Sequence, residues 1–180
     1  MELPELITDK SLFLRSLTEV DATSQYLSWL TSPEINRYLE IRFSPPRTIS
    51  DLVNFIKVAN ASTQTLLLGI FLTDGRHIGN IKLGPIDWNH ASSDIGFLIG
   101  DSKEWGKGYA SIAIGLMVNY AFKNLNLAKL TAGCYAINEG SRHALLNAGF
   151  VEEGRRSSQC LFGNTRVAGI MLGKVNPSLL

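Results

Sequence analysis

Apolar and polar residues change period several times along the chain, and each change predicts an element. Ser11 to Leu17 alternates as a short strand, and Asp21 to Leu30 follows as a helix that Thr18 or Asp21 can cap. Glu34 to Pro46 mixes charge, aromatics and a Pro-Pro pair, so it reads as a loop or a broken helix. Thr48 to Ala59 opens on capping residues and places Leu52, Phe55, Ile56 and Ala59 on one helical face. Gln64 to Leu72 and His77 to Ile86 are strands around Asp74-Gly75, a hairpin signal. Ser92 to Ile99 is another strand and Tyr109 to Asn124 a helix, with core positions Ala110, Ala113, Ile114, Met117, Val118 and Ala121. Leu127 to Ala136 and Arg155 to Leu172 supply the rest, the latter divided at Gly163-Asn164. No repeat, linker or low-complexity tract interrupts this order. It predicts one layered α+β domain over residues 1–180, with helices packed on a mostly antiparallel sheet.

The junction between the Ser92 to Ile99 strand and the following helix carries the chemistry. There the chain reads Gly100-Asp101-Ser102-Lys103-Glu104-Trp105-Gly106-Lys107-Gly108-Tyr109-Ala110. Strand, glycine loop and helix in that order aim unpaired N–H groups and a positive helix end at one point, a site suited to a phosphate. A P-loop would need a hydroxyl where Gly108 stands. A dinucleotide fingerprint would need a third glycine or alanine where Ser111 stands, and an acidic residue near Ala128 and Lys129.

Lys103-Glu104-Trp105-Gly106-Lys107-Gly108 instead resembles the acetyl-CoA pyrophosphate loop of the GNAT N-acetyltransferases, written [Q/R]-x-x-G-x-[G/A]. The wording is similar to the branch that holds ribosomal-protein N-terminal acetyltransferases and amino-sugar acetyltransferases. Further matches follow in family order. They are Leu12 to Leu17 with Asp21 and Trp29, His77 to Ile81, Asp94-Ile95-Gly96-Phe97, Asn138-Glu139-Gly140-Ser141, and Ala148 to Gly154. The resemblance implies a mixed, mostly antiparallel sheet that splays between its fourth and fifth strands, with helices on both faces. It implies acetyl-CoA as cosubstrate. Gly96, Phe97 and Leu98 would hold the pantetheine arm, Lys103 to Ala110 the pyrophosphate, Asn138 the pantetheine or adenylate side, and Ser141 the sulfur or the cap of its helix. Lys107 is read either as a phosphate contact or as a solvated surface lysine.

Direct transfer from a thioester needs alignment, a route for the amine proton, and stabilisation of the leaving thiolate. Asp94 stands where many members of the branch carry Glu, and is the candidate base; His77, His90 and Glu40 are substitutes. Ser141 is the candidate donor to sulfur, because Leu145 occupies the position where many relatives carry Tyr. Ala168 is a second departure, from an acidic residue. Cys134 reads as a buried hydrophobe rather than a nucleophile. The acceptor is assigned to Glu40, Arg42, Phe43, Asn80 and Trp88, with Arg42 able to grip a phosphate bidentately. The wording of Asn36 to Phe43 with Ile78 to Ile81 resembles relatives that act on nucleotide-linked amino sugars, which implies such an acceptor; a peptide N-terminus and a non-catalytic acyl-CoA-binding domain are the alternatives.

Composition narrows the remaining classes. The net charge of +1 gives no broad nucleic-acid surface, and 45% hydrophobic residues exclude a disordered chain. Two cysteines without a CxxC spacing predict no metal site. Glu2, Glu5, Asp9 and Lys10 break any leader-like apolar run, so a cytoplasmic protein without membrane contact, monomeric or homodimeric, is expected.

Overall fold

The computed structural model describes residues 1–179. Eight strands form one sheet in the order β1-β2-β3-β4-β5-β6-β8-β7. They are β1 Ile7–Thr8, β2 Leu12–Ser16, β3 Leu66–Leu72, β4 His77–Asp87, β5 Ser92–Ile99, β6 Lys129–Tyr135, β7 Val151–Phe162 and β8 Thr165–Val175. The helices are α1 Ser24–Thr31, α2 Pro33–Asn36, α3 Ile49–Ala61, α4 Tyr109–Lys123 and α5 Glu139–Asn147.

Strand β3, Leu66–Leu72, is buried along its whole length because both of its faces are covered. Leu66, Leu68, Ile70 and Leu72 join the core formed with α4 and α5, including Ile114, Met117, Ala144 and Leu145. Leu67 and Phe71 point the other way, into the core of Tyr26, Trp29, Leu52 and Ile56 from α1 and α3. Helices therefore cover both faces, as expected.

All neighbouring strands are antiparallel except β5 and β6, which run parallel and pair only through Ser92↔Lys129, Ser93↔Leu130 and Asp94↔Thr131. Beyond Asp94 they part. The predicted splay is present, and the short β1 moves it by one in the strand count.

Three local expectations are corrected. The first helix begins at Ser24, capped by the Thr23 hydroxyl, which accepts from the Tyr26 amide at 3.2 Å. Asp21 instead lies buried in a 3-10 turn, where both its oxygens accept from Arg15 at 2.7 Å. Phe55 is 41% exposed, at the margin of the α3 stripe that buries Leu52, Ile56 and Ala59. The last hairpin is longer than predicted, starting at Val151 and ending at Val175.

Candidate active site

The parting of β5 from β6 opens a cleft of about 590 Å³. Its walls are Phe97 to Ile99 on β5, the loop and first turn of α4, one side of α5 from Glu139 to Asn147, and α2 with the segment after it, including Tyr38 and Leu39. The backbone of β5 is available to this gap. The Ala91 carbonyl accepts from Ala128 and Lys129 on the β6 side, while the Leu98 carbonyl packs against Gly79 on the β4 side. Strand alternation then turns the N–H and C=O of Phe97 toward the open edge. Gly96 leaves open space where a side chain would stand, on the face it shares with Asp94 and Leu98.

The loop at the mouth of the cleft is built for an anion. Gly106 and Gly108 have φ of +75° and +85°, a backbone that favours glycine, and an added Cβ at either would project into open space. The Trp105 amide donates to Ser102 and the Ile112 amide to Gly108, but the amides of Gly106 to Ser111 find no acceptor among the described residues. Their N–H groups and the positive end of α4 form a cradle that matches a pyrophosphate. Trp105 ties the loop down, its Nε1 donating to the Ile99 carbonyl at 2.7 Å. Lys107 is exposed and does not line the cleft; its Nζ donates to Glu104 at 2.7 Å. Glu104 is 5% exposed and also accepts from Arg76 at 3.0 Å. Lys107 and then Arg76 hold its carboxyl below the usual carboxylate range, against the opposing effect of burial.

At the other end of the cleft, Asn138 caps α5, its Oδ1 accepting from the Ser141 amide at 3.2 Å. Asn138 Nδ2 donates to Ser141 Oγ at 3.0 Å, which leaves the serine's own proton available to another acceptor. Leu145 is buried in the core and has no part in the site. Burial pushes the Cys134 thiol up to about 11, so at neutral pH it is no nucleophile.

Phe97, Leu98, Glu104, Trp105, Gly106, Gly108, Tyr109, Ala110, Asn138 and Ser141 all line the cleft. Lys103 points to solvent outside it. Asp94 is exposed at the last paired position before the splay, where its carboxylate accepts from the Thr131 hydroxyl.

The acceptor set is scattered. Trp88 borders a separate depression with Pro85 and Gln64, its Nε1 donating to Thr63 at 3.2 Å. Asn80 is buried beside His77, whose Nε2 lies 3.0 Å from its Oδ1, while its Nδ2 has no partner. His77 itself packs among Tyr26, Trp29 and Phe71, and burial lowers its pKa, so it is a core group rather than a base. His90 sits exposed at the turn after β4.

Arg42 differs most from expectation. Its Nη1 donates to the Leu39 carbonyl at 3.0 Å, and its Nη2 to Tyr135 Oη at 2.8 Å and the Leu161 carbonyl at 2.7 Å. Phe43 stacks under the guanidinium, 4.1 Å from carbon to ring centre. Tyr135 Oη in turn donates to Glu40 at 3.1 Å, and Tyr38 stacks on Phe162. This latch ties residues 40–43 to β6 and to the β7–β8 hairpin. Tyr135 and Phe162 were not foreseen; an aromatic at the end of each strand gives no periodic signal.

A splayed sheet with an amide cradle at its mouth is the arrangement that the sequence resemblance implies. Residues 11–151 match the acetyltransferase (GNAT) domain family, and the chain belongs to it: it is a GNAT N-acetyltransferase. It is similar to YoaA of Bacillus subtilis (strain 168), an N-acetyltransferase named without a substrate, at 32% identity over 84% of this chain and 85% of that one. The candidate ribosomal N-acetyltransferase YdaF of the same organism is 38% identical over 47% of this chain and 45% of its own. Among solved structures, spermidine N-acetyltransferase from Vibrio cholerae, in complex with CoA and spermine, superposes with a TM-score of 0.83. That likeness, at 21% identity and covering 93% of this chain and 97% of that one, is one of fold. Among the described residues no helix is long and apolar enough to cross a membrane.

Proposed function

We propose that this N-acetyltransferase moves the acetyl group of acetyl-CoA directly onto a primary amine that carries no adjacent phosphate. The observation that carries the reading is the gap between β5 and β6, opening beside the unpaired amides of Gly106 to Ser111. Those amides would hold the pyrophosphate, and the Phe97 backbone the pantetheine arm and the thioester oxygen. The amine nitrogen bonds to the acetyl carbon as the carbon–sulfur bond breaks. Asp94 receives the amine's proton through water, and the Ser141 hydroxyl hydrogen-bonds the departing sulfur.

Arg42 bears on the acceptor. The nucleotide-linked amino sugar reading rests on the resemblance of residues 36–43 and 78–81 and on a guanidinium fork free to hold a phosphate, and this fork is engaged by Leu39, Tyr135 and Leu161. Carboxylates stand instead on the acceptor side, Glu34 in the cleft wall and Glu40 beside Tyr135. They suit a cationic partner, such as a polyamine or a peptide N-terminus; the names of similar proteins include a spermidine and a ribosomal N-acetyltransferase.

The test is release of free CoA from acetyl-CoA with polyamines, N-terminal peptides, amino sugars and nucleotide amino sugars. Turnover is expected with one of the first two. Preference for nucleotide amino sugars would overturn the acceptor reading. Acetyl-CoA binding without turnover of any amine would replace the enzyme by an acyl-CoA-binding domain.

A further inference from the structure

The turn between β3 and β4 lies outside the cleft, yet it reaches the anion loop. Arg76 donates from its backbone amide to Asp74 Oδ1 at 3.0 Å and from Nε to Asp74 Oδ2 at 2.8 Å. Its Nη1 continues to Glu104 Oε1 at 3.0 Å, and Glu104 Oε2 accepts from Lys107 at 2.7 Å. The result is a row of alternating charge, Asp74, Arg76, Glu104 and Lys107, running from the hairpin turn into the loop between Gly106 and Gly108. Only the Glu104 side chain is buried, at 6% exposure, against 55% for Arg76 and 50% for Lys107.

We infer that Arg76 is a positioning residue for acetyl-CoA, holding the anion loop in its receptive shape through Glu104. The inference rests on the acetyl-CoA reading of the cleft. A buried carboxylate without partners is costly, so Arg76 and Lys107 stay on Glu104. Glu104 is two residues from Gly106, and beside the Trp105 tie to Ile99 its ion pairs are what link the loop of two left-handed glycines to the β3–β4 turn. Holding it before the ligand arrives lowers the ordering cost of binding. The row is also neutral in sum. Lys107 is countered by Glu104, so the backbone amides, and not a free lysine, receive the pyrophosphate.

Arg76→Met tests this in the full-length protein, by titration with CoA in a calorimeter and by steady-state kinetics. The CoA Kd and the KM for acetyl-CoA should each rise about three- to tenfold, between the effect of a surface pair and that of a charged bond to a buried group. The kcat and the acceptor KM should stay within about twofold. Arg76→Lys should recover part of the loss. The double variant Arg76→Met with Glu104→Gln should be no worse than the poorer single one, since both remove the same link. Wild-type CoA affinity in Arg76→Met would overturn the inference. So would a joint fall in kcat and both substrate affinities, which would mark a general structural defect. Failure of the wild type to bind CoA would sink the function proposed above, and the clamp with it; wild-type binding with an unaffected Arg76→Met would sink the clamp alone.

Discussion

Gly108→Val separates the cradle's role in folding from its role in binding. Gly108 has φ of +85° and caps α4 without any side-chain hydrogen bond. An L side chain in that region costs about 1–2 kcal/mol. At about 2–4 °C per kcal/mol for a chain of this size, the melting temperature should fall by about 2–8 °C. The space beside Gly108 is open, so nothing in the protein opposes the new side chain. It would occupy the volume assigned to the pyrophosphate. Loss of one charge-assisted bond from an amide is worth about 1.5–3 kcal/mol, which is about 10- to 150-fold in Kd. Gly163→Val is the control, because Gly163 also has positive φ, at +57°, and open space around it, but lies in the β7–β8 turn. The control should lose stability in the same way and keep its CoA affinity. Calorimetric titration with CoA, paired with thermal melts, reads both quantities. A folded Gly108→Val protein with wild-type CoA affinity would refute the assignment of the loop.

Asp94→Asn should lower turnover by ~10²–10⁴ with CoA affinity nearly intact; a loss below tenfold would transfer the proton to another group. Arg42→Lys keeps the charge but cannot make three bonds in the same plane, so the acceptor KM should rise while that for acetyl-CoA stays put; equal changes in both would refute a latch confined to the acceptor side. Burial depresses the His77 pKa below its unfolded value, so its contribution to stability is complete above about pH 6.5 and is lost as pH falls through the folded value. Denaturant titrations of His77→Gln should therefore show a shallower loss of stability below pH 6.5, and an unchanged slope would show that His77 is not the titrating group.

The geometry of the half of the cleft proposed for acetyl-CoA was legible because local rules write it. Gly106 and Gly108 occupy positions that require left-handed backbone, Asn138 caps the helix it begins, and Asp94 lies within a strand of clear alternation. The acceptor half was not legible, because it is made by contacts between distant segments. Arg42 meets Tyr135 and Leu161 at separations of 93 and 119 residues, and no local pattern announces such a meeting. Charge also misled. Lys107 and Arg42 looked available to ligands, and both are engaged by the protein itself. Asn80 and Trp88 share neighbouring strands with the site, yet one is turned into the His77 cluster and the other lies beyond the far end of β5.

The latch also bears on how such an enzyme can change its diet. The family match ends at residue 151, where the terminal hairpin begins, and that hairpin carries Leu161 and Phe162 against Arg42 and Tyr38. The amides that would receive the pyrophosphate belong to a different stretch, residues 106–111. On the reading proposed above, the stretch that would hold the nucleotide is separate in sequence from both halves of the latch, residues 38–43 and the terminal hairpin. Exchanging those two segments together for the ones of another N-acetyltransferase would then be the graft expected to redirect the catalyst to a new amine.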